Sequence, residues 1–170
     1  MHIKNLDLCR YHTGPFDADN WSVPLRAVGW LEHSQHFTTG LTSSEFASKL
    51  RMIVEHVRSA YPHFGFRGVE VCSLCLAVGL KSPGPIWSQE NIFTPGSSVV
   101  YVAPGGTVHY VEMHEYLPPS GFVESVLSCP DPCSKEYYEA LRASNAGIEP
   151  PLQSAEDFKK WIDSLRRRRD

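Results

Sequence analysis

No run of the roughly 18 apolar residues that a membrane-spanning helix needs occurs in this chain, and the opening M-H-I-K-N-L-D-L-C-R lacks the uninterrupted apolar stretch of a secretory signal. Both absences point to a cytoplasmic protein. A surplus of basic charge is missing too: 16 Lys and Arg against 19 Asp and Glu leave a formal charge of -3, whereas broad nucleic-acid binding needs a basic face to displace counterions from phosphates. The one strongly basic run, R-R-R-R at 166–169, reads as the solvated end of a helix. Gly-rich phosphate loops, dinucleotide fingerprints, H-E-x-x-H and G-x-S-x-G are all absent, which removes motif support for nucleotide-dependent, thermolysin-like and serine-hydrolase chemistry. The H-x-E and P-C-x-x-C order of zinc deaminases is not met either. Five cysteines, an odd number, suit a reducing compartment and metal binding better than a disulfide framework.

What is present centres on residues 69–119. V-E-V-C-S-L-C places Cys72 and Cys75 in a C-x-x-C knuckle, and H-Y-V-E-M-H places His109 and His114 five residues apart. Two thiolates and two imidazoles are the donor set that tetrahedral zinc prefers, so these four are the candidate ligands of a structural zinc ion. Positions five apart on a helix lie about 140° apart around its axis, so the two histidines can share a metal only if the helix ends before His114. His33, His36 and Cys129 are the reserve ligands should either histidine fall outside.

Hydrophobic residues at 42% and 170 residues in all suit one domain with an ordinary core. A short strand is expected near residues 3–8 and another over 25–31, where Gly29 marks a bulge or a close backbone approach. Over 42–60, Phe46, Leu50, Ile53, Val54 and Val57 recur on one helical face, with Thr42 and Glu45 as a capping box. Residues 69–76 read as a strand carrying C-x-x-C into a turn, and N-I-F-T and S-S-V-V-Y-V-A as a hairpin. A helix is expected from Thr107, a second after Pro119 with Phe122, Val123, Val126 and Leu127 inward, and a third over 134–143. C-P-D-P-C at 129–133 reads as a rigid turn with no histidine nearby in sequence, and His56 as a surface residue. S-N-A-G-I-E-P-P then makes a hinge to a final helix whose stripe is Phe158, Trp161, Ile162 and Leu165. The expectation is an α+β fold, a small mostly antiparallel sheet flanked by helices. It divides into a core over 1–143 and a hinge plus amphipathic helix over 144–170 packed on that core.

A-V-G-W-L-E with H-F-T-T-G, then R-G-V-E-V-C-S-L-C, then Y-V-A-P-G-G-T-V-H-Y-V-E-M-H-E-Y-L-P-P-S-G-F-V-E-S-V-L run through residues 27–127. Over that span the chain resembles an uncharacterised family of small stand-alone bacterial proteins with a C-x-x-C…H-Y-V-x-x-H-x-Y-x-P-P pattern. Ser73 stands where an acidic residue is common, and G-G-T replaces a more apolar run. The resemblance implies a metal or polar cluster at Cys72, Cys75, His109 and His114 and assigns no reaction.

Three functions are expected to compete. The first is a cytoplasmic binding protein, an immunity protein that neutralises a cognate toxin by stoichiometric complex formation, with the loops around Trp21, Glu32, Trp87 and Glu90 as its partner surface. The second is a metal-dependent hydrolytic enzyme in which only three protein ligands bind and Glu112, Glu32 or His36 serves as base. The third is a zinc-containing regulatory or nucleic-acid-binding module acting through the terminal arginines.

Overall fold

The computed structural model describes residues 2–9, 23–60, 71–80 and 90–143. In chain order these form β1 (Leu25–Ala27), α1 (Ser44–Ala60), α2 (Ser73–Ala77), β2 (Asn91–Pro95), β3 (Val100–Pro104), α3 (Thr107–Met113), α4 (Ser120–Ser128) and α5 (Lys135–Ala143). The architecture is α+β, and the sheet is mixed, with the order β1-β3-β2. The hairpin pairs β2 antiparallel to β3 from Asn91 opposite Pro104 to Pro95 opposite Val100, and the Gly96 amide closes its turn on the Val99 carbonyl at 2.9 Å. On the other side β1 runs parallel to β3, from Leu25 opposite Val100 to Ala27 opposite Val102. Burial of β2 over Asn91, Ile92, Phe93 and Thr94 shows why this strand reads as continuous and not alternating: both of its faces are covered.

The expected strand over 3–8 is two isolated bridges, Ile3 to Trp30 and Leu8 to Arg26. Leu6 at φ 70° turns the backbone between them. The segment is held all the same: the Leu6 amide donates to the Ala27 carbonyl at 2.8 Å and the Cys9 amide to Leu25 at 2.9 Å.

Phe46, Leu50, Ile53, Val54 and Val57 of α1 are all buried, as their spacing requires. The cap sits one residue later than the sequence suggests. Ser43 Oγ accepts the Phe46 amide at 3.1 Å, so Ser43 and not Thr42 satisfies the first orphan donor. In α4 the inward residues are Phe122, Ser125 and Val126, followed by buried Cys129, an i, i+3, i+4, i+7 row. Leu127 falls off that row and is exposed, which corrects its assignment to the core. Helix α5 starts where Ser134 Oγ accepts the Tyr137 amide at 3.1 Å, and the buried Tyr137 hydroxyl donates to the Phe93 carbonyl at 2.8 Å, docking α5 on β2. The expected hinge and helix over 144–170 lie outside the described residues. No helix among the described residues is long and apolar enough to cross a membrane.

Candidate metal centre

The C-x-x-C segment is a helix and not the expected strand. Cys72 is the N-cap of α2 at φ -61° and ψ 112°, and its Sγ accepts the Cys75 amide at 3.3 Å. A thiol or thiolate can cap as a hydroxyl does, and the single turn it starts brings Cys75 back over Cys72. Both cysteines are buried, at 0% and 1% exposure. Ser73 Oγ accepts the His33 amide at 3.1 Å, fastening the 32–36 loop to this turn.

The histidines come from the other half of the chain, 34 to 42 residues away. Helix α3 starts after Gly106, with no side-chain cap, and it ends at Met113. His114 has already left helical geometry at φ -125° and ψ 13°, and Glu115 sits at φ 50°. What pulls the chain out is Tyr116. Its ring is fully buried, its amide donates to the Tyr110 carbonyl at 3.1 Å, its hydroxyl donates to Asn5 Oδ1 at 2.9 Å, and it bridges Thr39. The helix thus ends where two imidazoles five residues apart must have it end.

Four donor atoms converge as a result. Cys72 Sγ lies 3.3 Å from His114 Nε2; Cys75 Sγ lies 3.3 Å from both His109 Nε2 and His114 Nε2; the two Nε2 atoms are 3.2 Å apart. All four lie within 4.8 Å of one another. Zinc–sulfur and zinc–nitrogen bond lengths in a tetrahedron imply N···N edges of about 3.3 Å and S···N edges of about 3.5 Å. The four measured edges are therefore within a few tenths of an ångström of those of a tetrahedral shell, and these four residues can hold a metal ion.

Electrostatics suit the histidines and oppose one thiolate. Burial pushes both His109 and His114 below the usual imidazole pKa; for His109 the neighbouring His114 adds to this and Glu112 partly offsets it. Neutral imidazole is the ligating form. Burial raises the Cys75 thiol, and the bond and charge of Cys72 raise it further, so a cation is what would keep Cys75 ionised.

The other expected site residues are scattered. His33 and His36 are exposed and outside the cluster. Cys129 is buried elsewhere, its thiol pushed up to about 12 by burial above all. Glu112, a proposed base, is tied to Arg51 of α1. Glu32 is half-buried at the start of the 32–36 loop. Glu90 is a correction: far from offering an exposed charge, its side chain is 8% exposed, and its Oε1 accepts from Arg58 Nε at 2.9 Å and Nη2 at 2.6 Å. The chain turns in there because the Glu90 carbonyl must accept the Gly105 amide at 2.8 Å beside the hairpin's open end. Trp21 and Trp87 lie outside the described residues.

A second group escaped the sequence reading. His56 Nδ1 lies 2.9 Å from Asp131 Oδ1, and Cys133 stands beside them. The turn at C-P-D-P-C therefore does have a histidine next to it, and His56 is half-buried and paired. The signal available was the position of His56 on the margin of α1's apolar face, which places it against whatever packs there.

The chain belongs to a family described as a domain of unknown function (DUF7919), whose model matches residues 1–127. That span takes in all four residues of the Cys/His cluster and ends within α4. No curated protein matches, and no solved structure matches.

Proposed function

We propose that this is a cytoplasmic bacterial binding protein whose Cys72, Cys75, His109 and His114 hold a structural zinc ion, and that it acts as an immunity protein, neutralising a toxin by stoichiometric complex formation. The observation that carries the reading is the convergence of four donors, two thiols and two imidazoles. Four protein ligands fill the coordination sphere of zinc and leave no position for a reacting water, which is the signature of a structural site and speaks against the metal-dependent hydrolase. Activity then has to reside in a surface. Leu76, Val78 and Leu80 follow Cys75 directly and Met113 precedes His114, and all four are exposed. Apolar side chains standing out beside a metal-pinned turn are the kind of anchor around which a protein interface is built. The negative net charge favours a basic partner such as a nuclease-like toxin. On this reading the C-x-x-C…H-Y-V-x-x-H pattern belongs to the family and serves to hold that surface.

The test is titrated co-expression with the protein encoded beside this one, with zinc measured on the purified complex. Protection that saturates at one copy per toxin, with one tightly held zinc per chain, is expected. Protection at a substoichiometric ratio would mean turnover and would overturn the immunity reading.

A further inference from the structure

His56 of α1 and the loop joining α4 to α5 bring together one imidazole, one carboxylate and one thiol. From His56, Asp131 and Cys133 one donor atom each lies within 4.8 Å of the other two. His56 Nδ1 is 2.9 Å from Asp131 Oδ1, and Cys133 Sγ is 4.0 Å from the His56 carbonyl, so the thiol stands over the base of the imidazole side chain. The loop is stiff by construction. Pro130 and Pro132 flank Asp131, whose Oδ1 accepts the Cys133 amide at 2.8 Å and whose carbonyl accepts the Ser134 amide at 2.8 Å. Both side-chain hydrogen bonds of Asp131 fall on Oδ1, and a cation between Oδ1 and the imidazole would take the place of the one to His56.

We propose that His56, Asp131 and Cys133 form a second, three-donor metal site that takes a borderline divalent cation such as zinc. An ion pair alone accounts for His56 and Asp131, but it does not account for a thiol brought to the same point by a proline-locked turn. Imidazole, carboxylate and thiolate are each zinc ligands, and the last two neutralise a divalent charge. A tetrahedral N···O edge of about 3.3 Å requires the present pair to open by only a few tenths of an ångström. The chief competitor is Lys49, two turns earlier on α1, whose charge also acts on Asp131. The site differs from the Cys/His cluster in kind. With three protein donors, and with the His56 and Asp131 side chains 37% and 45% exposed, it leaves a coordination position that water or an exogenous ligand reaches. That is the arrangement of an exchangeable or reactive metal and not of a closed structural one.

Cobalt(II) titration of the metal-free full-length chain tests this, read by the thiolate-to-cobalt charge-transfer band and by stoichiometry. Two cobalt ions per chain are expected. His56→Ala and Cys133→Ser should each bring the count to one, and Cys133→Ser should lower the band at saturation by about one third, as three thiolate ligands become two. All three side chains are partly or fully exposed, and the melting temperatures of the two variants report that they fold. Cys72→Ser should lose the other ion and keep this one, so failure here and failure of the zinc assignment above give different results. A wild-type count of one with His56→Ala unchanged, or a second ion that persists in both variants, overturns the proposal.

Discussion

At Cys75 the protein imposes a cost that only a cation relieves. Its thiol is raised from the ordinary 9.0, by burial first and by Cys72 second, so near neutral pH the metal-free side chain carries its proton. His109 and His114 are shifted the opposite way, downward by burial, which favours the neutral imidazole. Metal binding must therefore expel at least the Cys75 proton, and acid weakens it. Each expelled proton changes the apparent affinity by about tenfold per pH unit. A competition titration with zinc between about pH 6.5 and 8.5 should show affinity rising by at least about one decade per unit, with histidine protonation adding to the loss toward acid pH. An affinity flat across the window would show that Cys75 binds no metal.

Helix α3 is placed by what lies under its first residue. Gly29 sits at φ 83°, and a Cβ there would come 2.3 Å from Thr107 Oγ1. The Gly29 amide donates to Asn5 Oδ1, the same atom that accepts the Tyr116 hydroxyl, so one asparagine fixes both the approach to α3 and the residue that ends it. Gly29→Ala has to push Thr107 away and adopt a left-handed backbone, at a cost of about 1–3 kcal/mol. Because His109 is two residues from Thr107, the substitution should weaken zinc binding as well as stability. Thermal melts with and without zinc separate the two effects. If the zinc-dependent part of the shift is unchanged, Thr107 does not set the position of His109.

On the scale of the whole molecule the Cys/His cluster joins the turn at residues 72–75 to the end of α3, across 34 residues or more. At about a thousandfold excess of zinc over its Kd, linkage contributes about 4 kcal/mol, and in a chain of this size each kcal/mol moves the melting temperature by about 2–4 °C. Removing the metal with a chelator, or replacing Cys72 by Ser, should thus lower the melting temperature by about 10 °C. The double variant Cys72→Ser/Cys133→Ser, which lacks a thiol at both clusters, should no longer respond to chelator. Equal melting with and without chelator in the wild type would mean that the metal does not hold the fold.

The ligand set was legible in the sequence because two thiols and two imidazoles at compact spacings define a chemistry whatever the chain does between them. The apolar face of α1 and the β2–β3 hairpin were legible because period and turn residues are local properties. Four features were not. The turn at Cys72 is helical because the Cys72 sulfur caps its own helix, a preference that the β-branched residues before it concealed. The end of α3 at Met113 is decided by Tyr116, which reaches Asn5 at the other end of the described chain, so no window around residues 107–114 contains the cause. Glu90 looked like a surface charge until Arg58 of α1 was brought to it, and His56 looked idle until the C-P-D-P-C turn closed over it. Donor types and local periodicity travel with the sequence; which distant group meets which donor depends on packing between elements, and only the tertiary structure decided that.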